Sequence, residues 1–279
     1  MNFKTQLVSI AQILNHACNY VAYTDARILL QGVLKVNHAY LIAHPKQNLI
    51  PIQIQNFQLL VTRRINGEPI AYIIGEREFY NMKFKVKPAV LIPRPETELL
   101  VDLALERISL NLPCKVLDLG TGSGAIAITI AKHRPLANIT AVDFSDDAIA
   151  VAKKNAKNLD VSNVRVIASD WFRELSGERF DYIISNPPYV VIGDPHLSQG
   201  DLRFEPRIAL IAGSDGLDCI RLIIASAVSH LVVGGWLLLE HGYDQAKMSK
   251  QLLEKAGFSD IFSCPDLAGV VRASGGRRG

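Results

Sequence analysis

Lys115-Val116-Leu117-Asp118-Leu119 runs into Gly120-Thr121-Gly122-Ser123-Gly124-Ala125, and no other stretch limits the fold of this chain so tightly. The first half reads as a buried strand, and Ala125 to Lys132 reads as a helix. A strand that enters a helix through alternating glycines needs backbone conformations open mainly to glycine. It also leaves the helix N-terminus, with unpaired N–H groups and partial positive charge, at the carboxyl end of the strand. The rhythm then repeats. Ile139 to Asp143, Val164 to Ile167, Tyr182 to Ile184 and Trp236 to Leu239 read as strands. Asp146 to Leu159, a segment from Leu217 and another ending near Lys255 read as helices, and short strands near Ile261 and Val270 follow. Such alternation predicts a doubly wound α/β domain, its mostly parallel sheet covered by helices on both faces.

The chain has 279 residues, enough for two domains. Leu7, Ile10, Ile13 and Leu14 recur at helical spacing, as do Ile28, Leu29, Val33 and Leu34, and Phe57, Leu60 and Val61 resume the pattern after Pro51. A small helical bundle is therefore expected over residues 1–75. Alternation from Arg77 to Val86, with Asn81 near its middle, predicts a linking hairpin within 76–92. Pro95, Glu96 and Glu98 then open a helix to Leu105, proline and acids standing in its first turn, and the α/β domain is expected over 93–279. The tail Ser274 to Gly279 is expected as a solvated end.

A formal charge of +3 neither requires nor excludes a nucleic-acid partner. Cys18, Cys114, Cys219 and Cys264 form no C-x-x-C pair, so no metal site is expected, and reduced thiols of a cytosolic protein are. The N-terminus lacks the unbroken apolar run of a secretory signal. Leu222 to Leu239 is the most membrane-like segment, but Ser226, Ser229, His230 and Gly234-Gly235 interrupt it. It is expected as helix, turn and core strand in a soluble protein.

Asp143 ends the second strand of the α/β domain, where an acid can accept hydrogen bonds from both ribose hydroxyls. With the glycine turn it implies a nucleoside-bearing ligand at the carboxyl ends of the strands. Gly120, Gly122 and Ala125 also satisfy the G-x-G-x-x-G/A pattern of nicotinamide-binding folds, so a dehydrogenase competes at this point. Ser169-Asp170-Trp171-Phe172 ends the third strand. There a carboxylate could accept from the adenine amine while an aromatic ring covers the base. The plainer alternative makes Trp171 and Phe172 core residues and Asp170 a turn cap.

The fourth strand breaks into Asn186-Pro187-Pro188-Tyr189. Prolines cannot continue a sheet ladder, because each lacks the N–H it needs. The Asn186 side-chain carbonyl and the Pro187 backbone carbonyl are both acceptors, held stiffly, and can grip the two hydrogens of an NH₂ group. Tyr189 offers a ring to pack on the planar group that carries it. Holding such a nitrogen in line with an electrophile can supply effective molarities of ~10⁵ M, so no strong base is obligatory. A simple turn is the competing reading of the same four residues.

Together these motifs are similar to those of class I S-adenosylmethionine-dependent methyltransferases acting on a planar nitrogen. Glu68 to Gly75, Ile92 to Glu98, Arg203 to Leu210 and Asp266 to Gly269 further resemble the bacterial peptide-chain release factor glutamine N5-methyltransferases. The resemblance implies a seven-stranded sheet, S-adenosyl-L-methionine as methyl donor, and methylation of the glutamine in the release factors' Gly-Gly-Gln motif, with the helical domain helping to dock the factor. It implies that Gly120, Thr121, Gly122 and Gly124 line the methionine part of the cofactor, that Asp143 binds the ribose, and that Asp170 and Trp171 bind the adenine. Asn186 would lie against both cofactor and target, Asn186 and Pro187 would bind the target amide, and Pro188 and Tyr189 would complete its seat. Thr97, Glu98, Arg203 and Glu205 receive no defined role. A cytoplasmic monomer is expected, with neither a membrane nor a stable nucleic-acid complex. Glutamine methylation of a ribosomal protein, adenine-N6 methylation of nucleic acid and a non-enzymatic docking protein are the alternatives.

Overall fold

The computed structural model describes residues 8–279, so the expected helical position of Leu7 lies outside the described residues. The chain divides into two compact units, residues 1–75 with 199–204, and residues 76–198 with 205–279.

The first unit carries β1 (Val8–Ser9), α1 (Ile10–Ala17), α2 (Tyr23–Leu34), α3 (His38–Ala43), β2 (Asn48–Leu49), α4 (Pro51–Ile65) and α5 (Ile70–Ile74). Ser9 and Gln12 cap α1 reciprocally, each side chain accepting the other's backbone N–H. Pro51 opens α4, where its missing N–H costs nothing. Ile10, Ile13, Leu29, Leu30, Phe57 and Val61 fill the core. The antiparallel β1–β2 ladder spans two residues on each side, too short to leave any periodicity in the sequence. Segment 199–204 joins this unit through Asp201, 3.2 Å from Arg64, and through Arg203, which donates to the Asn66 carbonyl at 3.0 Å.

The second unit begins with β3 (Glu76–Phe79) and β4 (Met82–Lys85), joined by Tyr80 and Asn81, both at positive φ as a tight two-residue hairpin turn requires. Phe79 and Phe84 pack into this unit's core. Then come α6 (Glu98–Arg107), β5 (Cys114–Leu119), α7 (Ala125–His133), β6 (Ala137–Asp143), α8 (Asp146–Asn158), β7 (Val164–Ala168) and β8 (Phe180–Ser185). The last elements are α9 (Asp218–His230), β9 (Leu231–Glu240), α10 (Ala246–Lys255), β10 (Phe258–Pro265) and β11 (Val271–Arg278). The sheet has seven strands in the order β10-β11-β9-β8-β5-β6-β7, parallel except at β11. β5 pairs with β6 on one side and β8 on the other, so the chain reverses its direction of winding there. Such a switch point opens a crevice at the strands' carboxyl ends.

Two expectations need correction. The tail is not a solvated end: Ser274, Gly275 and Gly276 are buried inside β11, between β9 and β10. A Cβ at Gly275 would stand 2.5 Å from the Leu237 carbonyl oxygen and 2.8 Å from the Phe262 ring. The glycines are there because neighbouring strands and rings press against the backbone, not because the chain is loose. Gly234-Gly235, likewise, is no turn between α9 and β9. The strand starts directly after His230, and the glycines form a bulge inside it, where the pairing with β8 jumps from Phe180–Leu231 to Tyr182–Trp236. Among the described residues, no helix is long and apolar enough to cross a membrane.

Candidate active site

The turns after β5, β6, β7 and β8 meet around a cavity of about 390 Å³, within the range of small-molecule sites. The β5 turn is shaped by glycine: Gly120, Gly122 and Gly124 have φ of 69°, 56° and 82°. A Cβ would meet nothing within 4 Å at Gly122, so open space and backbone angle are what this position supplies. At Gly124 a Cβ would fall 2.6 Å from Ile128, so there glycine also permits close packing of the turn on α7.

Two acids tie the turn down. Asp118 is buried beneath it and accepts from the Thr121 hydroxyl at 2.6 Å and the Ala127 N–H at 3.2 Å. Burial pushes its carboxyl up to about 7. Asp143 accepts from Gly122 N–H at 2.8 Å and Ser145 N–H at 2.9 Å, and burial raises its pKa as well. Asp143 thus braces the glycine turn and still has lone pairs to offer a diol in the cavity it lines. Beyond it, Ser169 accepts from Glu174 N–H and donates to the Trp171 carbonyl, holding Trp171 at φ 51° beside Asp170. Both residues line the cavity, whereas Phe172 is core and stacks on His230 at 4.5 Å.

At the other end stands the hook. Ser185 donates to the Leu119 carbonyl at 2.8 Å, locking β8 to β5 just before Asn186. Asn186 Nδ2 donates to Thr97 Oγ1 at 3.0 Å. Behind the hook the Tyr189 hydroxyl donates to Glu240 Oε1 at 3.2 Å, and the other carboxyl oxygen of Glu240 is buried without a hydrogen-bond partner among the described residues. Glu240 is completely buried at the end of β9, and burial pushes its carboxyl up to about 7. Burial and the neighbouring Glu240 push the Tyr189 phenol upward too. Behind the hook, Gln245 donates to the carbonyls of Tyr189 and Gly216 at 3.0 and 3.2 Å. Val190 bridges Ile211, clasping the hook to the following segment. That segment is anchored by Glu205, whose fully buried side chain bonds Arg94 at 2.5 Å.

Of the residues singled out in the sequence, Gly120, Thr121, Gly122, Asp143, Asp170, Trp171, Asn186 and Pro188 line one cavity. Gly124, Pro187 and Tyr189 do not line it: Gly124 packs on α7, and the Tyr189 hydroxyl faces Glu240. The four residues without defined roles now have positions. Thr97 holds Asn186, Glu205 holds Arg94, and Glu98 accepts the Tyr80 N–H at 2.8 Å, capping the hairpin turn; Arg203 belongs to the first unit. Sequence reading missed Asp118, Glu240 and Gln245. Asp118 had a local signal, an acid two residues before the first glycine, but Glu240 and Gln245 reach the hook only through sheet order. His241 is structural, with Nε2 2.8 Å from Ser274 Oγ and Nδ1 2.9 Å from the Gly242 carbonyl.

The residues present suit a nucleoside-bearing methyl donor: an acid for a diol, an acid beside an indole for a base, and an open glycine turn between them. Comparison with known proteins agrees. A family model described as "Methyltransferase small domain" matches residues 96–198, and one described as "PrmC N-terminal domain" matches residues 7–75. A Burkholderia pseudomallei protein named "Release factor glutamine methyltransferase" is 50% identical over 260 residues, 91% of each chain. One of the same name from Salmonella typhimurium is 47% identical over 253 residues, again 91% of each. The fold is similar to that of a T. thermophilus 16S rRNA methyltransferase solved with AdoMet and guanosine, with TM-score 0.53 and 20% identity over 73% of this chain and 50% of that one. A likeness that extends from the helical first unit through the glycine turn and hook leaves one assignment: this chain belongs to the release factor glutamine methyltransferases, with S-adenosyl-L-methionine as methyl donor.

Proposed function

We propose that this enzyme methylates the side-chain amide nitrogen, N5, of the glutamine in the Gly-Gly-Gln motif of peptide-chain release factors, acting as a cytoplasmic monomer that forms no stable nucleic-acid complex. The observation that carries the reading is the placing of Asn186, fixed by Thr97, in the same cavity as Asp143 and the glycine turn. The residues divide the work along that cavity. Asp143 accepts from the ribose hydroxyls, Asp170 accepts from the adenine amine beside the Trp171 ring, and Gly120, Thr121 and Gly122 seat the methionine portion, with Gly124 packing their turn on α7. Asn186 Oδ1 and the Pro187 carbonyl accept from the two hydrogens of the target amide, and Pro188 and Tyr189 keep the hook stiff.

S-adenosyl-L-methionine, when bound, supplies an electrophilic methyl on a positively charged sulfur. The amide nitrogen gains transient positive charge as it attacks, and acceptors at Asn186 Oδ1 and the Pro187 carbonyl would bind its hydrogens. Such preorganised dipoles stabilise developing charge without reorganising during the step. A proton then leaves to water. The first unit would dock the factor; exposed Tyr20, Tyr23, Ile52, Leu59 and Ile65 give it apolar surface for that purpose.

The test is transfer from methyl-labelled S-adenosyl-L-methionine to a release factor, beside a copy whose Gly-Gly-Gln glutamine is alanine. Label on the native factor alone supports the substrate. Label on DNA or a ribosomal protein instead keeps the chemistry and overturns the substrate.

A further inference from the structure

S-adenosyl-L-methionine is uneven in charge. Its nucleoside is neutral, whereas the methionine end carries a carboxylate, an ammonium and the sulfonium. The residues assigned above answer the nucleoside and the target amide. None of them is a cation that could answer the carboxylate.

Sheet order says where such a cation would stand. The turns after β8, β5, β6 and β7 lie side by side, so the hook, the glycine turn, Asp143, and Asp170 with Trp171 follow in a row. With the adenine at Asp170, the methionine end points toward the hook. Among the described residues lining the cavity, Arg94 is the only lysine or arginine. It belongs to the hook end: its carbonyl accepts the Thr97 N–H at 3.1 Å, and Thr97 Oγ1 accepts from Asn186 at 3.0 Å. Resting on the cofactor placement proposed above, we propose that Arg94 binds the methionine carboxylate of S-adenosyl-L-methionine, with Glu205 as the positioning residue for its guanidinium.

The pair suits that task. The Glu205 side chain is fully buried, while that of Arg94 stays 29% exposed and lines the cavity. Arg94 Nη2 donates to Glu205 at 2.5 Å, which uses one of the five N–H donors of the guanidinium. A planar fork held at one edge by a buried acid keeps donors for a second carboxylate. The opposite charges of Arg94 and Glu205 cancel at a distance, so the pair does not repel the sulfonium. Its preference for a carboxylate comes from directed N–H bonds. Deleting the guanidinium and deleting the ligand's carboxylate should therefore cost similar affinity, and deleting both should cost little more than deleting one.

The experiment is calorimetric Kd for S-adenosyl-L-methionine and for its decarboxylated analogue, which keeps the ammonium and the sulfonium. Wild type, Arg94→Gln, Arg94→Lys and Asp143→Ala are compared, with thermal unfolding as the check on folding. Wild type should bind the full cofactor at least tenfold more tightly than the analogue. Arg94→Gln should lose at least tenfold for the full cofactor and stay within about threefold of wild type for the analogue. Arg94→Lys, which keeps the charge beside Glu205 but not the fork, should lose severalfold for the full cofactor alone. It carries the same comparison if Arg94→Gln does not fold. Equal binding of the two ligands by wild type would overturn the proposal without any variant. Equal loss of both ligands in the Arg94 variants would overturn it too, since Arg94 would then only support the fold. Asp143→Ala should weaken both ligands alike; if it weakened neither, the cofactor placement would fall, and the proposal with it.

Discussion

The two ends of the cavity are built on opposite plans. At the glycine end the supports lie within one strand–helix–strand unit: Asp118 reaches Thr121 and Ala127, and Asp143 reaches Ser145 and, from the next strand, Gly122. At the hook end the supports arrive from across the chain. Asn186 leans on Thr97, Tyr189 on Glu240 and Gln245, and the clasp on the Arg94–Glu205 pair. A local turn needs only its own backbone angles to form, so it can hold a ligand as soon as β5 meets β6. The hook is correct only when β9, α10 and the segment before α6 are all in place. Binding at one end and chemistry at the other should therefore respond differently to damage.

The largest separation should come from Asn186→Ala, which removes a transition-state acceptor. Its kcat should fall about 10²–10³-fold in a saturating assay while cofactor affinity changes little. Next, Gly124→Val breaks the glycine end at its base, forcing a β-branched residue into positive φ with a Cβ 2.6 Å from Ile128. A loss of about 3 kcal/mol in denaturant unfolding is expected, with cofactor binding weakened alongside it. Gly275→Ala tests a region outside either end. With a Cβ 2.5 Å from the Leu237 carbonyl, it should cost about 1–3 kcal/mol of stability while leaving the cofactor Kd unchanged in the folded fraction.

A pH titration compares the ends through their buried acids. Asp118 and Glu240 are both raised, from 3.8 and 4.5 to about 7. A carboxyl whose folded pKa exceeds its unfolded value favours the fold while protonated. Its contribution is full below about pH 4 and is lost as pH rises through about 7, by up to about 3–4 kcal/mol for each group. Glu240→Gln should flatten half of that slope, and Asp118→Asn the other half, in unfolding measured across this window. The smallest effect should be Tyr189→Phe. It removes the Tyr189 hydrogen bond to Glu240, and about 1 kcal/mol of stability and a severalfold drop in kcat are expected.

The same contrast explains what could be read in the sequence. The strand–glycine–helix rhythm, Asp143 and the proline-stiffened hook announce themselves locally, and the sheet follows from their order. Glu240 and Gln245 carry no such mark. They acquire meaning because β9 lies beside β8, which brings its last residue behind Tyr189. The C-terminal strand misled for a related reason: Gly275 and Gly276 resemble a loose tail until Phe262 and Leu237 are seen against them. Glycine reports a close approach, and sequence alone does not say to what.

The division between the two ends is tested most directly by measuring the cofactor Kd by calorimetry and single-turnover kcat together, for Asp143→Ala and Asn186→Ala. Asp143→Ala should weaken cofactor binding at least tenfold and recover much of its turnover rate at saturating cofactor. Asn186→Ala should bind the cofactor within about threefold of wild type and stay slow at any concentration. If Asn186→Ala lost cofactor binding as severely as Asp143→Ala, or Asp143→Ala stayed equally slow when saturated, the two ends would not be separate devices and the account would be wrong.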